Sequence, residues 1–202
     1  MKTLRAKGKI LYCPRPFIFY CYRDLMGNVC DKELFEKNKD IINSVKKFQL
    51  QMDIKLIETP ERDQYLYFKK VVKNRERENI RVLKGFPAEE IIGNYGLIIL
   101  DYLVSALLPV SIVLDCPTII YLKDTSYLKE ETKPDLEERF YLVNNKSDLE
   151  KHISLYASGK LKSKFSSDMV DKYAFPINAG DPGIRISDYM RKKTSEYVLK
   201  KR

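Results

Sequence analysis

The chain contains no tryptophan and a single histidine, His152. A metal site built on several imidazoles, or a Ser-His-Asp triad, would have to rely on this one residue, which lies in a stretch predicted to be an exposed helix. The four cysteines, Cys13, Cys21, Cys30 and Cys116, form no Cys-x-x-Cys pair, so a zinc or redox motif is unsupported. We therefore expect no metal site and no resident cofactor; magnesium could accompany a phosphorylated substrate, but the sequence assigns it no ligands.

Two common phosphate-binding motifs are also absent. No Gly-x-Gly-x-x-Gly follows the first predicted strand, and no Gly-x-x-x-x-Gly-Lys-Ser/Thr occurs anywhere. This excludes the dinucleotide fingerprint and the P-loop. The basic start MKTLRAKGK is not followed by a long apolar run with a cleavage site, so no signal peptide is indicated. We expect a cytoplasmic protein with reduced thiols.

The net charge of +9 is concentrated at the two ends. Residues 1–9 carry four bases and no acid, and residues 191–202 carry six bases and one acid, which leaves residues 10–190 neutral. A nucleic-acid-binding protein usually has a basic face on the folded domain itself, so we expect no nucleic-acid partner. Basic ends on a neutral body fit contact with an anionic membrane surface or an acidic partner, or simply solubilising tails.

Short apolar segments alternate with helical patterns along most of the chain. The segment Gly96–Leu100 is apolar at almost every position, which indicates a strand buried on both faces of a parallel sheet. Strands that alternate with helices form βαβ units with right-handed crossovers. We therefore expect an α/β fold: a doubly wound, six-stranded, mostly parallel Rossmann-like sheet with helices on both faces and the strand order 3-2-1-4-5-6. The predicted strands are Lys9–Pro14, Asp53–Glu58, Asn79–Gly85, Gly96–Leu100, Thr118–Leu122 and Phe140–Asn144.

The helices between these strands show clear amphipathic or capping signals. The longest spans Asp31–Gln51, with Leu34, Ile41, Ile42, Val45 and Phe48 on one face. A capping box predicts that another helix starts at Ser147, because Glu150 follows at the required spacing. Further helices are predicted at 59–75, 87–94, 103–114, 163–173 and from 184 onward. The expected organisation is a basic extension (1–8), a Rossmann-like nucleotide-binding domain (9–175), and a loop with a basic helix that packs back on it (176–202).

The apolar stretch Leu97–Leu114 is long enough to raise the alternative of a membrane span. In that case Asp101 would lie inside the bilayer and Pro109 would interrupt the helix. A strand followed by a helix explains both residues better, and we expect that arrangement.

The predicted strand order places a ligand crevice at the carboxyl ends of the first and fourth strands, where the order reverses. A diphosphate there would need backbone N–H groups, a hydroxyl such as that of Ser105, and cations such as Arg15 and Arg23. Gly85-Phe86 would receive a planar base. Each residue also has a plainer interpretation: Asp101 and Ser105 as helix caps, the arginines as solvated loop charges. The candidate binding residues are Arg15, Thr59, Gly85, Phe86, Asp101, Tyr102 and Ser105.

Four segments resemble the C-terminal, donor-binding half of the two-domain GT-B glycosyltransferases, in the surface-polysaccharide and CDP-glycerol glycerophosphotransferase-like group. Lys9–Pro14 (KILYCP) is similar to the first strand of that half, which commonly ends in Tyr-x-Pro. Asp53–Pro60 (DIKLIETP) resembles a strand that often ends in His-Pro. Ile99–Ser105 (ILDYLVS) resembles an Asp-Tyr motif followed by hydroxyl residues. Asn178–Ile186 (NAGDPGIRI) resembles a late Asp-Pro-Gly segment.

The resemblance implies a glycosyltransferase-like protein that binds a nucleotide-activated sugar or polyol and acts in surface-polysaccharide biosynthesis. Its candidate binding residues would then hold the donor. An acceptor domain is missing from the chain, so the resemblance implies activity only with a second glycosyltransferase domain or subunit. The basic ends suit peripheral contact with the inner face of the membrane, where lipid-linked acceptors are used.

Three departures from the pattern keep a second interpretation open. Thr59 stands where the group often has His, Leu103-Val104 replace hydroxyl residues, and Pro109 lies near the usual position of a ribose-binding Glu. These departures favour a degenerate, non-catalytic homologue that acts as an interaction or scaffold subunit. An unrelated α/β binding protein or enzyme is the third possibility, because a fold alone does not fix function.

Overall fold

The computed structural model of the 202-residue chain describes residues 6–16, 31–56, 62–73, 79–103, 107–123, 125 and 128–170. Within them lies one six-stranded sheet with helices on both faces. The strands are β1 (Ala6–Cys13), β2 (Gln51–Lys55), β3 (Ile80–Leu83), β4 (Tyr95–Leu100), β5 (Thr118–Tyr121) and β6 (Tyr141–Val143). The helices are α1 (Asp31–Lys47), α2 (Arg62–Lys73), α3 (Leu107–Val113), α4 (Lys133–Arg139) and α5 (Lys146–Ala157), followed by one helical turn at Ser167–Met169.

The strand order is β3-β2-β1-β4-β5-β6, and every pair of neighbours is parallel. This confirms the predicted doubly wound, Rossmann-like topology. The order reverses between β1 and β4, which are paired from Ile10↔Leu97 to Cys13↔Leu100. The carboxyl ends of β1 and β4 therefore lie side by side at the centre of the sheet.

The sheet is buried on both faces. Alternate side chains of its central strands pack in two different hydrophobic cores, one on each face. Leu97 and Ile99 of β4 pack in the core formed with α1, α2 and α5, whereas Ile98 and Leu100 pack in a second core with α3 and the β3–β4 connection. All four side chains have no exposed surface. The uninterrupted apolar run of β4 thus has the physical cause that the sequence indicated.

Helix α1 buries the predicted apolar face but ends four residues earlier than expected. Leu34, Ile41, Ile42 and Val45 are buried. The helix ends at Lys47 because Gln49 adopts the left-handed conformation (φ 54°). The amide of Gln49 donates to the carbonyl of residue 46, and the amide of residue 50 donates to that of Val45. This is the Schellman arrangement that ends many helices, and it directs the chain into β2.

The predictions for two helices need correction. Helix α5 begins at Lys146, because the side chain of Asn145, and not that of Ser147, accepts the hydrogen bond from the Asp148 amide (2.9 Å). The predicted helix at 87–94 is instead two 3-10 turns, Ala88–Glu90 and Ile92–Asn94. The connection from β3 to β4 crosses one face of the sheet, and two short turns are enough to span it.

The stretch that raised the membrane alternative is divided between β4 and α3. Among the described residues, no helix is long and apolar enough to cross a membrane. Residues 1–5 of the predicted N-terminal extension and the whole predicted segment 176–202 lie outside the described part of the chain.

Candidate ligand site at the carboxyl edge of the sheet

The carboxyl ends of β1 and β4 are joined by a direct hydrogen bond. The backbone N–H of Arg15, two residues beyond β1, donates to Oδ1 of Asp101 at 2.6 Å. Asp101 is the first residue after β4. Two of the predicted site residues are therefore brought together at the reversal point of the sheet.

Asp101 is held by a second set of contacts from α1 and β1. The Tyr12 hydroxyl lies between Oδ2 of Asp101, 3.0 Å away, and Oδ1 of Asn38. The ammonium group of Lys37 donates to the backbone carbonyl of Asp101 at 2.9 Å. Asp101 is 1% exposed and Lys37 is 2% exposed. We call Tyr12, Lys37, Asn38 and Asp101 the switch-point network.

Burial shifts both charged members of the network toward their neutral forms. It raises the pKa of Asp101, against the opposing effect of the Lys37 charge, and it lowers the pKa of Lys37. A phenol carries one proton, so Tyr12 donates to only one of its two neighbours at a time. Tyr12 therefore donates either to Oδ1 of Asn38 or to Oδ2 of Asp101.

Two buried polar atoms, one in this network and one beside it, have no hydrogen-bond partner among the described residues. The amide nitrogen of Gln64 donates to the Arg15 carbonyl at 2.9 Å, but its Oε1 accepts nothing, and Nδ2 of Asn38 donates to nothing. Both residues are 1% exposed. Since buried polar groups are normally paired, these two atoms are candidates for contact with a ligand or an ordered water.

Sequence reasoning missed Tyr12 on β1 and the site residues that lie on helices α1 and α2. Asn38 follows Leu34 by four residues and precedes Ile41 by three, so it occupies a core position of α1. A polar residue on an apolar helical face was the available signal. Tyr12 and Gln64 carried no such signal, because their partners are distant in the sequence.

The carboxyl ends of β2 and β3 supply cations and aromatic rings. The Lys55 ammonium lies 4.9 Å from the centre of the Phe86 ring, and Lys55 is 3% exposed. Gly85 has a positive φ of 85°, and no atom of the described residues, apart from its two chain neighbours, lies within 4 Å of the place that a Cβ would occupy. The predicted residues Gly85 and Phe86 therefore lie beside β2, with open space above the glycine.

The remaining predicted site residues are only partly described. Tyr102 is half-buried next to Asp101. Thr59 and Ser105 lie outside the described residues, as does Arg23, so their predicted contacts stay predictions.

Among the described residues, no cysteine or histidine forms a nucleophilic or metal-binding centre. Cys13 and Cys116 are free and buried, and burial raises the pKa of the Cys13 thiol well above its usual range. His152 lies half-buried on α5, against the Tyr141 ring, and its Nδ1 donates to the Asp148 carbonyl at 2.8 Å. No group of three described His, Cys, Asp or Glu side chains is arranged to hold a metal ion.

A second buried carboxylate, Asp53, lies near the middle of the sheet and serves the fold. Its oxygens accept hydrogen bonds from the Arg81 guanidinium (2.9 Å twice) and from the Tyr95 hydroxyl (2.6 Å), and the Lys9 ammonium is 2.7 Å away. Burial acts to raise the pKa of Asp53, but these three partners outweigh it and the pKa is lowered. The cluster joins β1, β2, β3 and β4.

No protein-family model matches this chain, and no curated protein matches it significantly.

Proposed function

We propose that this chain binds a nucleotide-activated donor at the carboxyl edge of its sheet, as the donor-binding half of a GT-B glycosyltransferase-like protein of surface-polysaccharide biosynthesis. The observation that supports this most directly is the reversal of strand order between β1 and β4, with Arg15 and Asp101 hydrogen-bonded at that point. Open α/β sheets bind ligands at such reversals. The donor class rests on the resemblance of the four sequence segments quoted above.

In this proposal Tyr12, Lys37 and Asp101 support the site from below and do not themselves contact the donor. Both carboxylate oxygens of Asp101 already face protein groups, and the residue is 1% exposed. Asp101 would fix the loop after β1 by holding the Arg15 amide. The donor would then contact Arg15, Gly85, Phe86, Tyr102, Thr59 and Ser105.

The isolated chain should bind the donor without transferring it. In GT-B enzymes the reaction takes place between two Rossmann-like domains, and the described residues form one sheet with one reversal point. The acceptor and a general base would come from a second domain or subunit. Here the chain's task is to position the donor, so that charge on the departing nucleotide is stabilised as it develops.

A thermal-shift screen tests donor binding. We expect the melting temperature to rise with the concentration of one member of a panel of UDP, GDP, CDP, CMP and their common sugar conjugates, with and without magnesium, because a ligand that binds only the folded state stabilises it. The Gln64→Leu variant should reduce that rise, whereas Gln51→Leu, an exposed glutamine at the start of β2, should not. A flat response to every nucleotide would contradict the proposal.

The burial of the network favours one alternative, a non-catalytic homologue that acts as a scaffold subunit. Tyr12, Lys37, Asn38 and Asp101 fill the reversal point with protein side chains. A tagged chain that recovers a glycosyltransferase subunit in a one-to-one complex, and binds no nucleotide, would support this alternative. Sugar transfer by the isolated chain would exclude it.

We further propose that the basic ends bring the protein to an anionic membrane surface. Most of residues 1–9 and all of residues 191–202 lie outside the described part, so the charge pattern alone supports this. Co-sedimentation with phosphatidylserine vesicles should exceed that with neutral vesicles and should fall at high salt. Equal sedimentation with both would contradict it.

A further inference from the structure

We propose that the carboxyl ends of β2 and β3 form an anion-binding site that takes the phosphate groups of a small ligand. The site consists of Lys55, Tyr65, Lys69, Lys84 and Phe86, which we call the lysine-aromatic cluster. This inference rests on the proposed function in taking the ligand to be a nucleotide. It deepens that function by placing the phosphates over β2 and β3 instead of beside the helix that follows β4.

Three consecutive residues after β3 hold the cluster together. The Lys84 ammonium lies 4.1 Å from the centre of the Tyr65 ring, and the Phe86 ring lies 4.9 Å from the Lys55 ammonium. Gly85 separates the two pairs. Because Lys84 and Phe86 are the two chain neighbours of Gly85, each lysine–ring pair includes a residue that adjoins this glycine.

Two exposed lysines bring positive charge to the Tyr65 ring. The Lys69 ammonium also faces the Tyr65 ring, at 5.6 Å. Lys69 and Lys84 thus bring two positive charges to one aromatic ring, and both side chains are exposed. Within the described part of the chain, neither ammonium group has an ion-pair partner. Two like charges that face the same ring repel each other, so a bound anion would stabilise the arrangement.

The third lysine is buried and extends the positive potential toward β1. Lys55 is 3% exposed, and its ammonium donates to the Leu56 carbonyl next to it. Its charge is the leading electrostatic influence on the Cys13 thiol and opposes the effects of Asp101 and Glu89. Lys55 therefore acts from beneath Phe86, while Lys69 and Lys84 are the side chains that can reach an anion directly.

Space for the ligand lies directly above Gly85. Among the described residues other than its neighbours Lys84 and Phe86, no atom is within 4 Å of the position of a Cβ on this residue. Its positive φ of 85° is a conformation that glycine adopts without strain. A phosphate above Gly85 would lie between its two chain neighbours, Lys84 and Phe86.

The cluster and the switch-point network are thus linked along one edge. Gln64 and Tyr65 are adjacent on α2; Gln64 contacts Arg15 and Tyr65 contacts Lys84. Arg15 in turn contacts Asp101. A ligand with phosphates over Gly85 would therefore extend its remaining part toward β1 and β4.

The test follows backbone amide resonances of the full chain, labelled with nitrogen-15, during titration with inorganic pyrophosphate. We expect the amides of Lys84, Gly85 and Phe86 to shift. Lys84→Met should weaken pyrophosphate binding roughly tenfold, the loss typical of one charge-assisted contact. Lys151→Met removes an exposed lysine from α5, beside β5 and β6, and should leave binding unchanged.

Several results separate this inference from the proposed function. Unshifted amides at Lys84–Phe86 in millimolar pyrophosphate, or equal affinity in wild type and Lys84→Met, would overturn the anion site. Nucleotides that stabilise the wild type and Lys84→Met equally would overturn it while leaving donor binding intact. Lys84-dependent pyrophosphate binding without stabilisation by any nucleotide would support the anion site and contradict the proposed function.

Discussion

At the scale of single residues, buried polar side chains hold the carboxyl edge of the sheet together. Asp101, Lys37, Asn38 and Gln64 are each no more than 2% exposed. Their hydrogen bonds run from α2 through Arg15 and Asp101 to Tyr12 and α1. In such a buried environment each hydrogen bond that is formed matters more than it would in water, because a lost partner leaves an unpaired polar group.

Removal of the Tyr12 hydroxyl tests this dependence. Tyr12→Phe keeps the ring but takes a partner from both Asn38 and Asp101, so we expect the free energy of unfolding to fall by about 1–3 kcal/mol. Tyr141→Phe is the matched control, because its hydroxyl donates to the Lys162 carbonyl at an exposed position. Urea denaturation measures both. Equal losses in the two variants would show that the network adds no special stability.

The two buried carboxylates should respond to pH in opposite directions. The folded pKa of Asp101 is raised, so its contribution to stability is greatest in acid and declines as the pH rises above its unfolded pKa of about 4. The folded pKa of Asp53 is lowered, so its contribution is present above about pH 4 and is lost as the pH falls through the folded value.

The Asn variants make this contrast measurable. Relative to wild type, Asp53→Asn should be most destabilising near neutral pH and least so in acid, because wild type itself loses the benefit of Asp53 there. Asp101→Asn should show the reverse, with its relative cost largest in acid. Unfolding at several pH values checks both, and parallel pH profiles for the two variants would contradict the assignment.

At the scale of elements, the position of α3 depends on one buried side chain of α4. Arg139 is 0% exposed, and its guanidinium donates to the backbone carbonyls of Ser111, Ile112 and Leu114. These carbonyls belong to the last turn of α3 and the residue that follows it. Arg139 thus provides the partners that the end of a helix otherwise lacks.

Loss of this contact should be costly. Arg139→Met leaves buried carbonyls without a donor, so we expect a destabilisation of about 3 kcal/mol or more. Arg139→Lys retains one donating group and should fall between Met and wild type. Thermal unfolding measures all three proteins, and an Arg139→Met variant as stable as wild type would contradict this role.

At the scale of the whole molecule, the topology could be predicted from the sequence because it follows from local patterns. The apolar run of β4 indicated a strand buried on both faces, and the alternation of strands and helices predicted a parallel doubly wound sheet, whose common strand order this chain adopts. The apolar stripe of α1 could be predicted for the same reason. Each of these signals lies within a short window of the chain.

The site could be predicted only in part, because its contacts join distant segments. Arg15 and Asp101 were identified from the ends of their strands, yet the Tyr12–Asn38 and Lys37–Asp101 contacts depend on how α1 lies across the sheet. The start of α5 was misplaced because Asn145 and Ser147 are both good caps. In the structure Asn145 has the extended backbone of a cap, and its side chain accepts the Asp148 amide.

The most direct test of the proposed function is to locate nucleotide binding on the labelled chain. Amide spectra should be recorded with each of UDP, GDP, CDP and CMP in turn. We expect at least one nucleotide to shift the amide resonances of Arg15, Asp101 and Tyr102. These residues follow β1 and β4, where the strand order reverses. If millimolar concentrations of all four leave these amides unchanged, the proposal that the carboxyl edge is a donor site is wrong.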